Sequence, residues 1–140
     1  DIFNRSGFDC KVSNNIKQEL FKKFLVNVGL NGLASIARVK NGDVIKNKEL
    51  NEIFINLVYE AIEVGKSGGF KCQYNTIKDI IKTIGMAAEN TNSMLQDLDK
   101  HKKTEIDYLN GKVVELGRKY NIPTYYNQFI TCIIKFFEMR

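Results

Sequence analysis

The sequence predicts an all-α fold, a single helical domain of about six or seven helices. Three observations carry this. Apolar residues recur at spacings of three and four along almost the whole chain, which is the period of one helix face. No segment alternates apolar and polar residues as a half-buried strand would. Helix-capping residues and glycine-bearing turns punctuate the periodic stretches at helix-length intervals. With 140 residues and 44% hydrophobic content, the chain is long enough to bury one core.

Residues 1–13, with Asn4, Ser6, Gly7 and Asp9, read as a connector, and residues 14–140 as the folded domain. Ser13 or Asn14 is suited to cap the first helix, while Glu19 comes too late to close a capping box. Ile16, Leu20, Phe21, Phe24, Leu25 and Val28 set its period. Gly29 and Gly32 predict a bend, or two helices meeting. A second piece, from Leu33 to Val39, stops at the turn signal Lys40-Asn41-Gly42. Asn47 caps a long helix carrying Leu50, Ile53, Phe54, Leu57, Val58, Ala61, Ile62 and Val64. Gly68 and Gly69 end it, since glycine suits the left-handed C-terminal position. Asn75 or Thr76 caps the next, with Ile77, Ile80, Ile81, Ile84 and Ala88. The polar loop Glu89 to Asn92 leads to a short helix beginning near Ser93. A helix from Glu105 turns Ile106, Leu109, Val113, Leu116 and Gly117 inward. Tyr120-Asn121-Ile122-Pro123 interrupts, and a last helix carries Phe129, Ile130, Ile133, Ile134 and Phe137.

One stretch stands out chemically. From Phe24 to Ala37 there is no charge, so this helix is apolar nearly all round and belongs inside the domain. Lys23, Asn27 and Asn31 lie along it at four-residue spacing and drift only about 40° from one to the next, forming a polar stripe. Buried polar groups require partners. Either neighbouring side chains and waters supply them, or the stripe lines a cleft for a polar ligand. Lys22, about 100° away, is expected to face solvent. The helix beginning near Ser93 aims backbone N–H groups at the preceding space, an arrangement suited to a carboxylate.

Composition narrows the classes. The net charge is +5, but the lysines are interspersed with acids and form no basic stripe, which argues against nucleic acid. No segment reaches the roughly 20 apolar residues of a membrane span. Cys10, Cys72 and Cys132 are odd in number, far apart and without metal-ligand spacing, as expected of buried or free thiols in a reducing cytoplasm. His101 sits among charges without companions that would make a metal site.

Two blocks together resemble a known family. Lys23, Asn27 and Asn31 are similar to the K-x-x-x-N-x-x-x-N core of the ketopantoate reductases (2-dehydropantoate 2-reductases). Asn90, Ser93, Met94, Gln96 and Asp97, followed by Thr104, Glu105, Ile106, Asp107, Asn110 and Gly111, resemble its N-x-S-S-M-x-Q-D … T-E-I-D-x-x-N-G signature. Asn41-Gly42 and Glu60 fall where the family has an asparagine–glycine turn and an acid. The resemblance implies the helical C-terminal domain of a two-domain NADPH-dependent reductase converting ketopantoate to pantoate, in pantothenate and coenzyme A biosynthesis. No G-x-G-x-x-G follows an opening strand here, so residues 1–13 would connect to a missing N-terminal Rossmann domain, and the chain would be inactive alone. By the same resemblance Lys23 is the general acid. Lys23, Asn27, Asn31, Asn41, Asn90 and Ser93 contact substrate, and Glu105 faces the cofactor ribose or the substrate. Lys23 and Glu105 could attract each other in the empty cleft. Asp97, Asp107 and Asn110 are read as structural residues joining helices. Phe21, Asn92, Pro123 and Tyr125 depart from the family pattern and leave room for a paralogue acting on another 2-keto acid. The alternative is a helical dimerisation module, its homodimer formed over apolar surface left bare.

Overall fold

In the computed structural model, residues 2–7, 12–72 and 76–140 are described. Helices are α1 (Ile2–Arg5), α2 (Ile16–Ala37), α3 (Asn41–Lys46), α4 (Lys48–Ser67), α5 (Thr76–Met86), α6 (Ser93–Asp99), α7 (Asn110–Tyr120) and α8 (Tyr125–Glu138), with a 3-10 turn at Ile106–Tyr108. The fold is all-α, as expected, with no strand among the described residues. Within the stretch read as a connector, residues 2–5 form one helical turn.

Helix α2 is the central element, packed against α3, α4, α5, α6 and α8. It does not bend into two pieces at Gly29 and Gly32 but continues to Ala37, where Arg38 takes a left-handed conformation (φ 55°). The glycines serve close packing instead. A Cβ on Gly29 would lie 2.5 Å from the Phe54 ring of α4, and one on Gly32 would lie 2.3 Å from Ile130 of α8. Both neighbouring helices therefore come nearer to α2 than any larger side chain allows. Eight consecutive residues, Val28 to Ser35, are buried, which explains why the sequence there is uncharged and, apart from Asn31 and Ser35, without polar side chains.

The caps follow the sequence with small shifts. Asn15, rather than Ser13 or Asn14, caps α2 by accepting the Gln18 N–H at 3.3 Å, while the Ser13 hydroxyl accepts the Asn15 N–H. Asn47 caps α4 through the Leu50 N–H at 2.9 Å. Beyond α4 the left-handed residue is Gly69 (φ 89°). Asn75 lies outside the described residues, as does Cys10, and α5 opens at Thr76. Asn41 and Gly42 do not make a plain turn. They open α3, whose first turn is closed by the Asp43 carboxylate accepting the Lys40 N–H.

Two further expectations are corrected. The helix expected from Glu105 begins at Asn110, after the 3-10 turn and a break at Leu109 (φ −104°, ψ −101°). A side chain at Gly111 would crowd the Ile106 carbonyl, 3.2 Å from its Cβ, so the chain folds tightly there. Phe129 does not point inward and is 62% exposed, whereas Ile130 and Ile134 are buried. Helix α8 carries apolar residues on more of its circumference than one buried face holds, and the isoleucines take the core. The centre of the core is Leu25, Val28, Phe54, Leu57, Val58, Ile84, Met94, Ile106, Val113, Ile130 and Ile134.

Candidate functional site

The polar stripe is continuous along α2 but graded in depth. Lys23 is exposed, Asn27 half-buried and Asn31 only 6% exposed. From Lys23 to Asn31 the helix rises by about 12 Å. Lys22 is exposed as expected and pairs with Glu19 at 3.7 Å. Among the described residues, the Lys23 ammonium and the Asn27 carboxamide have no hydrogen-bond or ion-pair partner. Lys23 and Asn27 open onto a groove of about 400 Å³ between α2 and α5, with Val26, Thr76, Asp79, Ile80 and Thr83 in its walls and Glu19 and Lys22 at its rim. Sequence reasoning had not assigned the α5 wall to the site. The period of α5 places Thr76, Asp79 and Thr83 on one side, but only packing shows that α2 lies opposite.

At the buried end of the stripe, four elements meet in a hydrogen-bonded knot. Ser35 donates its hydroxyl to the Asn31 carbonyl at 2.7 Å and to Asn92 Oδ1 at 3.2 Å. The same Asn92 oxygen accepts the Leu95 N–H at 3.0 Å, making Asn92 the cap of α6. Asn41 donates its backbone N–H to the Asn90 carbonyl at 3.0 Å and its side-chain N–H to the Ala87 carbonyl at 3.4 Å. Gly42 donates to the Ala88 carbonyl at 2.9 Å; a side chain there would collide with Ala88. The loop between α5 and α6 is thereby tied to the start of α3. An exposed bridge from Lys40 to Glu89 at 2.7 Å closes the same junction. Its hydrogen bond, then its charge attraction, holds the Lys40 ammonium above its ordinary pKa and the Glu89 carboxyl below its own.

The structure therefore brings Asn31, Asn41 and Asn90 to one junction, with Ser93 opening α6 beside it. Ser93 is exposed, and with Asn92 acting as cap its hydroxyl is left unbonded among the described residues. Two polar atoms buried in the knot have no partner: Asn41 Oδ1, an acceptor, and Asn92 Nδ2, a donor. Asn92 was read only as a departure from a serine. Its asparagine–serine pair ahead of an apolar run is a capping signal that would have found the role.

Glu105 stands apart. It is exposed at the start of the 3-10 turn, and no ion pair joins it to Lys23 among the described residues. Two solvated charges gain little by holding each other. Thr104 beside it is buried, accepts the Ile106 N–H at 3.2 Å and donates its own hydroxyl to Glu138 at 2.7 Å. Asp107 bonds Lys135 at 2.7 Å, joining the turn to α8, and Asn110 is wholly buried between helices. Asp97 contributes its carbonyl to the Lys102 N–H at 2.8 Å rather than a side-chain link. His101 is exposed in a left-handed conformation (φ 52°) after α6. No cluster of metal-ligating side chains occurs among the described residues, and none of their helices is long and apolar enough to cross a membrane. Cys72 and Cys132 are free.

Known proteins share this sequence and fold. Residues 15–138 match the family described as ketopantoate reductase PanE/ApbA C terminal. A 2-dehydropantoate 2-reductase of Pyrococcus horikoshii is 33% identical over 96% of this chain and 45% of its own length. One from Aquifex aeolicus is 34% identical over 98% of this chain and 46% of its own. Among solved structures, a PanE/ApbA family ketopantoate reductase from Ralstonia eutropha superimposes with a TM-score of 0.89 at 25% identity, over 98% of this chain and 46% of that one. D-mandelate dehydrogenase with NADH and anilino(oxo)acetate gives 0.89 at 29% identity, over 99% and 58%. The chain spans a little under half the length of the curated relatives it matches. It belongs to the ketopantoate reductase family, and corresponds to the helical C-terminal domain of those enzymes.

Proposed function

We propose that this chain is the substrate-binding and catalytic half of an NADPH-dependent 2-dehydropantoate 2-reductase, which reduces ketopantoate to pantoate. The observation that carries this reading is the unpartnered stripe of Lys23 and Asn27 leading down to Asn31 and the junction of Asn41, Asn90 and Ser93. The cofactor, when bound, supplies a hydride to the 2-keto carbon. Lys23 gives its ammonium proton to the oxygen on which negative charge develops, so the carbonyl ends as a hydroxyl and the amine regains a proton from water. Asn27 and Asn31 carry both donors and acceptors, suited to the hydroxyls and carboxylate of the substrate. The carboxylate rests at the start of α6. There the Ser93 hydroxyl and the N–H groups of Ser93 and Met94 have no bond among the described residues. Asn41 and Asn90 close the junction, and Glu105 would face the cofactor ribose or the substrate.

In this reading residues 1–13 lead from an N-terminal Rossmann domain that binds the cofactor, and residues 14–140 have no reductase activity by themselves. The setting is the cytoplasm, and nucleic acid is not a partner. A paralogue for another 2-keto acid is the second reading, favoured by the likeness to D-mandelate dehydrogenase, whose structures hold NADH. A helical homodimer surface is favoured by an apolar groove of about 420 Å³ lined by Leu33, Ile36, Leu50, Ile53, Tyr125 and Phe129. A Staphylococcus aureus ketopantoate reductase of the same fold is described as dimeric. The polypeptide encoded by the whole reading frame should oxidise NADPH in the presence of ketopantoate. Faster turnover of an aromatic 2-keto acid would move the assignment to the paralogue, and no turnover of any 2-keto acid would refute it. Sedimentation over a range of concentrations tests the dimer, and a monomer throughout would remove it.

A further inference from the structure

The angle at which α2 presents its stripe is not fixed by hydrophobicity. Burial of Val28 to Ser35 does not choose the angle, since apolar contact has no direction; close packing at Gly29 and Gly32 and the Ser35–Asn92 bond restrain it. A directional contact to the helix backbone is present, however, in the middle of the stripe. Asn110, at the first position of α7 and 0% exposed, donates from Nδ2 to the Val28 carbonyl at 2.9 Å, next to Asn27. The same Nδ2 donates to Asn127 Oδ1 on α8 at 3.0 Å. Asn127, also 0% exposed, donates from its own Nδ2 to the Leu57 carbonyl of α4 at 3.1 Å and to Glu60 Oε2 at 2.7 Å. Glu60 in turn accepts the backbone N–H groups of Tyr126 and Asn127, each at 3.0 Å. Gly32, one turn on from Val28, lets α8 come close, because a Cβ there would strike Ile130.

We propose that Asn110 and Asn127, backed by Glu60, are positioning residues: a buried relay that sets the rotation of α2 and so aims Lys23, Asn27 and Asn31 at the substrate. This rests on the reductase reading above. The relay runs from the N-terminus of α8 through α7 to α2, and its two asparagines are shielded from water, where directional bonds are strongest. Both N–H groups of the Asn110 amide are used, one on each acceptor, while Asn110 Oδ1 is buried without a partner.

The test uses the polypeptide encoded by the whole reading frame, with kcat, both KM values and thermal melting measured for Asn110→Ala on wild-type and Lys23→Ala backgrounds. At a temperature where circular dichroism shows the variant fully folded, kcat should fall at least tenfold and the cofactor KM should stay within twofold. On the Lys23→Ala background the same substitution should lower the residual rate by less than threefold, while lowering the melting temperature as much as before. A folded Asn110→Ala with kcat within twofold of wild type overturns the proposal. So does a loss of equal size on both backgrounds, the mark of a purely structural role. If Asn110→Ala does not fold, Asn110→Ser, which leaves room for a water at the break, is held to the same limits. Full activity in Lys23→Ala would refute the reductase mechanism itself. An inactive Lys23→Ala beside a fully active Asn110→Ala would refute the relay alone.

Discussion

Replacing Gly32 with alanine sets two effects against each other, and the structure decides between them. Alanine is the better helix former by about 1 kcal/mol, so on an open helix face the change stabilises. At Gly32 the new methyl would lie 2.3 Å from Ile130 Cγ2, more than an ångström short of ordinary contact. Ile130 is β-branched and only 2% exposed, so it has no free rotamer to swing into. Forced overpacking costs about 1–3 kcal/mol, and an approach of 2.3 Å to a buried side chain places this clash at about 2–3 kcal/mol, leaving a net loss of about 1–2 kcal/mol once propensity is included. That corresponds to about 3–8 °C in melting temperature for a domain of this size. Gly85, on α5 with nothing within 4 Å of its Cβ position, is the matched control, and Gly85→Ala should raise the melting temperature by about 2–4 °C. The clash also predicts coupling. Ile130→Ala alone should cost about 2–5 kcal/mol, and less on the Gly32→Ala background because the colliding methyl is gone. Urea unfolding of the four variants measures each term. A Gly32→Ala protein as stable as wild type would refute the claim that α8 packs directly on the α2 backbone.

Other consequences follow from local chemistry. Asn47→Ala removes the acceptor for the Leu50 N–H and should destabilise by about 1 kcal/mol, measured by urea midpoint at unchanged slope. Cys132 is exposed, whereas Cys72 is half-buried, its thiol pushed up by burial. Iodoacetamide under native conditions should therefore label Cys132 before Cys72, and peptide mass spectrometry reads the order. The reactive thiolate fraction at Cys72 should grow only as pH rises above the ordinary thiol range.

Local signals carried the fold class, and contacts distant in sequence carried what the sequence left open. Helix α4 was legible because its cap, its apolar spacing and its terminal glycines all lie within one stretch. Gly29 and Gly32 were ambiguous for the opposite reason. Whether a glycine bends a helix or admits a neighbour depends on what faces it, here Phe54 and Ile130. Phe129 could not be assigned outward from periodicity, since α8 has more apolar residues than its buried face can take. The stripe of Lys23, Asn27 and Asn31 was legible because it needs only the helix period, although its gradation from solvent to core was not. The Asn41–Asn90 junction, the Ser35–Asn92 bond and the Glu60–Asn127–Asn110 relay join residues 17 to 67 positions apart. No local pattern specifies such pairs, and only the packed fold brings them together.

The central claim is that Lys23, and not its neighbour, does the chemistry. Both lysines are exposed, but Lys22 is paired with Glu19, whereas Lys23 has no partner among the described residues. The most direct measurement is kcat/KM for NADPH-dependent reduction of ketopantoate by the polypeptide of the whole reading frame, as Lys23→Ala and as Lys22→Ala. Loss of a general acid predicts a fall of about 10²–10⁴-fold for Lys23→Ala, with Lys22→Ala within twofold of wild type. Equal values for the two variants would contradict the account.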